Sequence, residues 1–87
     1  MRLDKFLFFT RLVKTRSLAQ RLAEGGHLRI DSRPTGRAHA DVRPGMVLSF
    51  PLNDRVRVLR VEAIPVRRGP AAEAQSCYTD LSPPVAG

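Results

Sequence analysis

The apolar periodicity of this chain changes once, at Gly25-Gly26, from the spacing of helices to the spacing of strands. Upstream, Leu18, Ala19, Leu22 and Ala23 share one arc at 100° per residue, and Arg16, Ser17, Gln20, Arg21 and Glu24 share the other, which predicts a helix over 16–24. Thr15 or Ser17 is placed to cap its start, and Ser17 with Gln20 has capping-box spacing. The two glycines end it, because glycine enters the left-handed conformation of a helix C-terminus without a Cβ clash. A first helix over 2–9 is predicted by Leu3, Phe6, Leu7 and Thr10 on one side. Phe8 and Phe9 fall off that stripe, so each either packs on a neighbouring element or presents an aromatic face to a base or a protein.

Downstream the period is two. His27-Leu28-Arg29-Ile30 alternates, and Asp31-Ser32-Arg33-Pro34 supplies a turn that lacks the Asn-Gly of a tight hairpin. Arg43-Pro44-Gly45-Met46 reads as a type II turn, with proline presetting one central residue and glycine supplying a positive φ at the next. It feeds a strand at Val47-Leu48-Ser49-Phe50. A longer strand is expected over 55–64, where the apolar positions change phase near Leu59-Arg60, which suggests a bulge and leaves Arg55, Arg57 and Arg60 mostly on the solvent side. A last short helix is expected within 71–78. Two helices followed by an antiparallel sheet make an α+β domain, expected over 1–66, with 67–87 as an appended tail that forms a short helix and then loses order.

A chain of 87 residues has room for one small domain, burying about 60 to 65% of the surface its unfolded form exposes. That disfavours a stand-alone enzyme with a deep, water-free site. The formal charge of +7 points to an anionic partner, and thirteen of the fifteen basic residues are arginines, whose planar forks contact phosphates in pairs and stack on bases. The charge is lopsided. Residues 1–33 carry eight basic side chains against three acidic ones, a net of +5, whereas residues 69–87 are net −2. A cluster of Arg2 and Lys5 one turn apart, with Lys14 and Arg16 flanking the second helix's start, reads as a phosphate site in which helix N-termini also take part.

One cysteine, Cys77, with only His27 and His39 beside it, offers no disulfide and no metal spacing, so no metal or cofactor is expected and a reducing cytoplasmic setting fits. The apolar run Phe6-Leu7-Phe8-Phe9 is too short for a signal peptide or a membrane span and is read as part of the fold.

Arg2-Leu3-Asp4-Lys5-Phe6-Leu7, then Arg11-Leu12-Val13-Lys14-Thr15-Arg16-Ser17-Leu18-Ala19, then Leu22-Ala23-Glu24-Gly25-Gly26-His27-Leu28-Arg29-Ile30, with the later Arg43-Pro44-Gly45 turn, resemble the S4-type RNA-binding domain (the alpha-L motif) over roughly residues 2–50. Within that class, Lys14-Thr15-Arg16 and the segment Arg67-Arg68-Gly69-Pro70 with Glu73-Ala74 and Tyr78 look like the bacterial heat-shock protein 15 family and its small relatives in ribosome quality control. Asp31-Ser32 stands where the family pattern has Asn-Gly, Met46 where it has an acidic residue, and His27 where it often has a basic one.

The resemblance implies a non-enzymatic protein that binds structured ribosomal RNA and tRNA on the large subunit, in recycling or quality control of stalled subunits that carry peptidyl-tRNA. It places RNA contacts at Arg2, Lys5, Lys14, Thr15, Arg16, Ser17 and Gln20, with His27, Arg29 and Arg33 on the neighbouring strand and turn; Arg11 and Arg21 complete the expected set. Asp4 is expected to orient an arginine such as Arg16. A monomer with no small-molecule substrate is expected. The rivals are an accessory module of an RNA-modifying enzyme, a DNA-binding helix-turn-helix whose second helix Gly25-Gly26 would cut short, and an anionic membrane, for which no long amphipathic stretch is present.

Overall fold

The structure, a computed structural model, describes residues 1–83. Helix α1 (Leu3–Phe9) and helix α2 (Arg16–Glu24) lead into strands β1 (Leu28–Ile30), β2 (Arg33–Thr35), β3 (Val47–Leu52) and β4 (Arg55–Val61), followed by helix α3 (Ala71–Gln75) and strand β5 (Tyr78–Asp80). The strands form one antiparallel sheet in the order β2-β1-β3-β4-β5.

The core forms where the helical stripes meet one face of that sheet. Leu3, Phe6 and Leu7 of α1 and Ala19 and Ala23 of α2 are buried together with Leu28, Leu48, Phe50, Leu59 and Val61. Fully burying a leucine or phenylalanine contributes about 1.5–3 kcal/mol, so this layer is the main source of stability in so small a domain. Leu18, grouped with the core arc by its spacing, remains 43% exposed. Thr15 is the cap of α2, its Oγ1 accepting from the Leu18 N–H at 3.1 Å; the Ser17 and Gln20 capping box is not used. At the end of α2, Gly25 is still right-handed and Gly26, at φ 85°, makes the left-handed turn into β1.

Both hairpins close with two residues at positive φ, Asp31-Ser32 between β1 and β2 and Asn53-Asp54 between β3 and β4, which is the type I′ arrangement that matches strand twist. The tight turn therefore forms without Asn-Gly. Asp31 helps, since its backbone N–H donates to Val47 O at 2.8 Å and its Oδ1 accepts from Val47 N at 2.9 Å, tying the turn to β3. The Pro44-Gly45 turn has the expected form, with Gly45 at φ 94° and Met46 N donating to Arg43 O.

Three expectations are corrected. No bulge interrupts β4, because its pairing with β3 is continuous from Val47↔Arg60 to Leu52↔Arg55, and the strand stops at Val61 rather than 64. The phase change arises because Val56 lies on the outer face, 58% exposed, while Arg57 lies across from buried Phe50 on the inner face. Arg57 is thus half-buried, its head paired with Asp80 at 3.3 Å, not turned to solvent. At the C-terminal end the helix stops at Gln75 rather than reaching 78, and Tyr78–Asp80 pairs with β4 as the sheet's edge, although order was expected to be lost after the helix. Residues 84–87, the end of that expected disordered tail, lie outside the described residues.

Candidate nucleic-acid interface

Arg2 sits at the N-cap of α1 and donates through Nε and Nη2 to both oxygens of Asp4, at 3.1 and 3.0 Å. Asp4, only 7% exposed, also accepts from the Lys5 N–H at 2.8 Å. The aspartate therefore fixes Arg2 rather than Arg16. Its fork leaves half of the Arg2 side chain in solvent with a set orientation, so an anion meets a guanidinium already positioned.

The first turn of α1 does not offer backbone donors to a phosphate, contrary to expectation. Leu3 N donates to Ala40 O at 2.8 Å and Asp4 N to Ala38 O at 3.0 Å, so the loop before β3 has taken these groups. Side chains must do that work. Lys5 is exposed on α1, and Lys14, Arg16, Ser17 and Gln20 are exposed around the start and outer face of α2, where the first turn holds no acidic residue. Arg2 and Lys5 stand at the start of α1, whereas Lys14 and Arg16 follow its C-terminal end at the start of α2.

The remaining expected residues separate. His27 is exposed at the entry to β1. Arg29 lies between Leu28 and Ile30, which face the core, so it points from the opposite face of the sheet and is not brought together with the helical cations. Arg33, opposite Ile30, returns to the helix side. Thr15 is exposed, with its oxygen engaged in the cap. Arg11, at φ 60° after α1, donates from Nε to Gly69 O at 2.6 Å, so part of its fork is committed to the fold. Arg11, Lys14 and Arg21 rim a groove of about 580 Å³ whose apolar wall includes Leu18, Leu22 and Leu52, with Asn53 of the β3–β4 turn at its edge.

Ion pairing sorts the cations. Arg43, Arg57, Arg60 and Arg67 are paired with Asp41, Asp80, Glu62 and Glu73. Among the described residues, Lys5, Lys14, Arg16, Arg21, Arg29, Arg33, Arg37 and Arg55 have neither an ion pair nor a side-chain hydrogen bond to protein. Six of those eight fall in the first 33 residues, so pairing accentuates the lopsided charge that the sequence carries.

Sequence reasoning missed Arg68 as a brace of the site. It lies over the Phe8 ring and bonds the carbonyls on both sides of the α1–α2 connection, leaving Phe8 half-buried under it. Only a contact across some sixty residues reveals this. The exposed Leu18 and the Asn53 edge were missed too, although Asn53-Asp54 between two apolar runs is a recognisable two-residue turn signal. Among the described residues no cluster of His, Cys, Asp and Glu could hold a metal ion, and no helix is long and apolar enough to cross a membrane.

The sequence model of the S4 domain matches residues 1–48, which hold α1, α2, the β1–β2 hairpin and the start of β3. This chain belongs to the S4 domain family. Among curated S4 relatives it is 36% identical to the RQC P-site tRNA stabilizing factor of Bacillus subtilis, over 74% of this chain and 73% of that protein. It is 32% identical to heat shock protein 15 of Escherichia coli K12 over 98% of this chain, and it spans 63% of that protein's length. Heat shock protein 15 of Vibrio cholerae, solved as a trimer, superposes with a TM-score of 0.85 at 31% identity, covering 92% of this chain and 80% of that one. The likeness thus extends past the S4 match into the C-terminal helix and edge strand.

Proposed function

We propose that this S4 protein binds structured RNA of the large ribosomal subunit together with tRNA, on stalled subunits that still carry peptidyl-tRNA. The observation that carries the reading is the sorting of charge: cations outside the N-terminal third are largely paired, while Lys5, Lys14, Arg16 and Arg21 stand free on the two S4 helices and their connection and Arg2 is held ready by Asp4. The name of the Bacillus relative, a P-site tRNA stabilizing factor, supports the ribosomal and tRNA setting. An A-form duplex hides its base edges from side chains, so recognition proceeds through shape and phosphate. The contacts are made by Arg2, Lys5, Arg11, Lys14, Thr15, Arg16, Ser17, Gln20, Arg21, His27 and Arg33, with Arg29 reaching RNA only if it passes the sheet edge. The protein acts by binding, in the cytoplasm, and carries out no reaction of its own.

Co-sedimentation with separated ribosomal subunits, with and without trapped peptidyl-tRNA, at two salt concentrations tests this. Enrichment on large subunits that carry tRNA is expected. Binding only to duplex DNA would refute it. With five to seven phosphates neutralised, log affinity falls with log salt at a slope of about −4 to −6.

A further inference from the structure

Leu18 has the spacing of a core residue but lies 43% exposed on α2, between the cations Lys14 and Arg21. With half-buried Leu22 and Leu52 it walls the groove between α2 and the β3–β4 turn, and at about 580 Å³ that groove is within the roughly 300–1,000 Å³ of ordinary ligand sites. Its lining contains three cations and no acidic residue, which suits an anion. At its edge the Asn53 amide supplies both a donor and an acceptor, the combination that reads a base edge.

The geometry points to a binding site for a single unstacked nucleotide of the bound RNA, its base against Leu18, its phosphate between Lys14 and Arg21, and its edge facing Asn53. This rests on the RNA-binding reading above and deepens it. A paired nucleotide in an A-form duplex has no accessible face for such a wall, whereas a bulged or looped one does. Leu18, Leu22 and Arg21 are on α2 and Lys14 lies just before it, so apolar wall and cationic rim line the same groove and base and phosphate of one nucleotide are served together. The groove also reaches beyond the S4 match of residues 1–48 through Leu52 and Asn53, giving the second hairpin a part in selecting RNA.

The test compares the full chain's affinity for a fully paired RNA duplex and for the same duplex carrying a one-nucleotide bulge. Wild type is expected to prefer the bulged RNA by about three- to tenfold, a fraction of what an aromatic stacking platform provides. Leu18→Ser, at an exposed position, is expected to remove the preference without changing the salt slope. Asn53→Asp, which keeps a residue tolerant of positive φ while adding negative charge, is expected to lower it as well. Val56→Ser, a still more exposed apolar position on the sheet's outer face, is the control and is expected to keep it. Equal affinity for both RNAs, or a preference that survives Leu18→Ser, overturns the groove assignment and leaves the RNA-binding reading standing. Failure to bind either RNA, or any ribosomal subunit, overturns that reading itself. An acidic peptide that occupies the groove while the bulged RNA stays bound also overturns the assignment.

Discussion

The Arg68 guanidinium lies 4.4 Å from the centroid of the Phe8 ring, and its Nη1 donates to Phe8 O at 2.5 Å and to Val13 O at 3.2 Å. One C-terminal side chain thereby ties the end of α1 to the residue just before Lys14. Arg11 reciprocates by donating to Gly69 O, so the connection between the two S4 helices is held from both sides.

Arg68→Ala is expected to destabilise the fold by about 1–3 kcal/mol, the range for a lost charged hydrogen bond with a partly desolvated cation–π contact. Arg68→Lys should recover only part, because a point charge cannot serve both carbonyls and the ring with one planar fork. Urea denaturation measures the loss. RNA affinity should also fall for both variants with the salt slope unchanged, since the Arg68 guanidinium is engaged by the Phe8 ring and two carbonyls; a reduced slope would show that it meets a phosphate as well.

Arg16→Ala removes an exposed, unpaired cation and is expected to lower RNA affinity and shrink the magnitude of the salt slope by about 0.7–0.9, leaving thermal stability within about 0.5 kcal/mol of wild type. Arg2→Ala should act in the same direction to a similar or lesser degree. A well-folded double variant that still binds RNA with the wild-type slope would sink this assignment.

Asp4→Asn keeps the shape but reduces the charge that holds Arg2. The Arg2 fork then loses its preferred orientation, and affinity for RNA should drop even though the substitution raises the net positive charge. Titration by fluorescence anisotropy distinguishes the two effects, because nonspecific attraction alone would make binding tighter.

Ser32→Gly is expected to stabilise the protein by about 0.5–1 kcal/mol. Ser32 holds φ 71° with a Cβ in place, a conformation glycine adopts without penalty, although the more flexible unfolded chain offsets part of the gain. Calorimetry reads this as a higher Tm.

Asp80 is held below the usual carboxylate value first by its hydrogen bonds from Ser82 and then by Arg57. A depressed carboxylate binds protons more readily in the unfolded chain. Its contribution is therefore fully present above the ordinary value near pH 4 and disappears as pH falls through the lowered folded one. Glu62, lowered by its bond from Arg60 and then by Thr79, acts in the same sense beside it. Acidification should loosen the β4–β5 edge, and Asp80→Asn should flatten the acid limb of a stability-versus-pH curve; an unaltered limb would contradict this.

Most of the helical part was legible in the sequence because its signals are local. The stripe of α1, the Thr15 cap, the glycine stop of α2 and the Pro44-Gly45 turn all act over a few residues and appear where they were expected. The sheet was less so. Strand β4 has apolar residues on both faces, and sequence spacing cannot distinguish an outward Val56 from an inward one; only the register with β3 does. Strand β5 is three residues long and has no pattern apart from the β4 edge that it covers.

The sequence by itself determined that the chain is an α+β domain, that its positive charge is concentrated in the first third, and which helix-borne residues could meet RNA. The tertiary structure decided which of those charges remain free. Ion pairs and carbonyl contacts form between residues as far apart as Arg57 and Asp80 or Arg68 and Phe8, and Asp4 selects Arg2 because the two meet at the start of α1. Charge composition is additive along a chain, but its neutralisation depends on distances of a few ångströms that only folding sets.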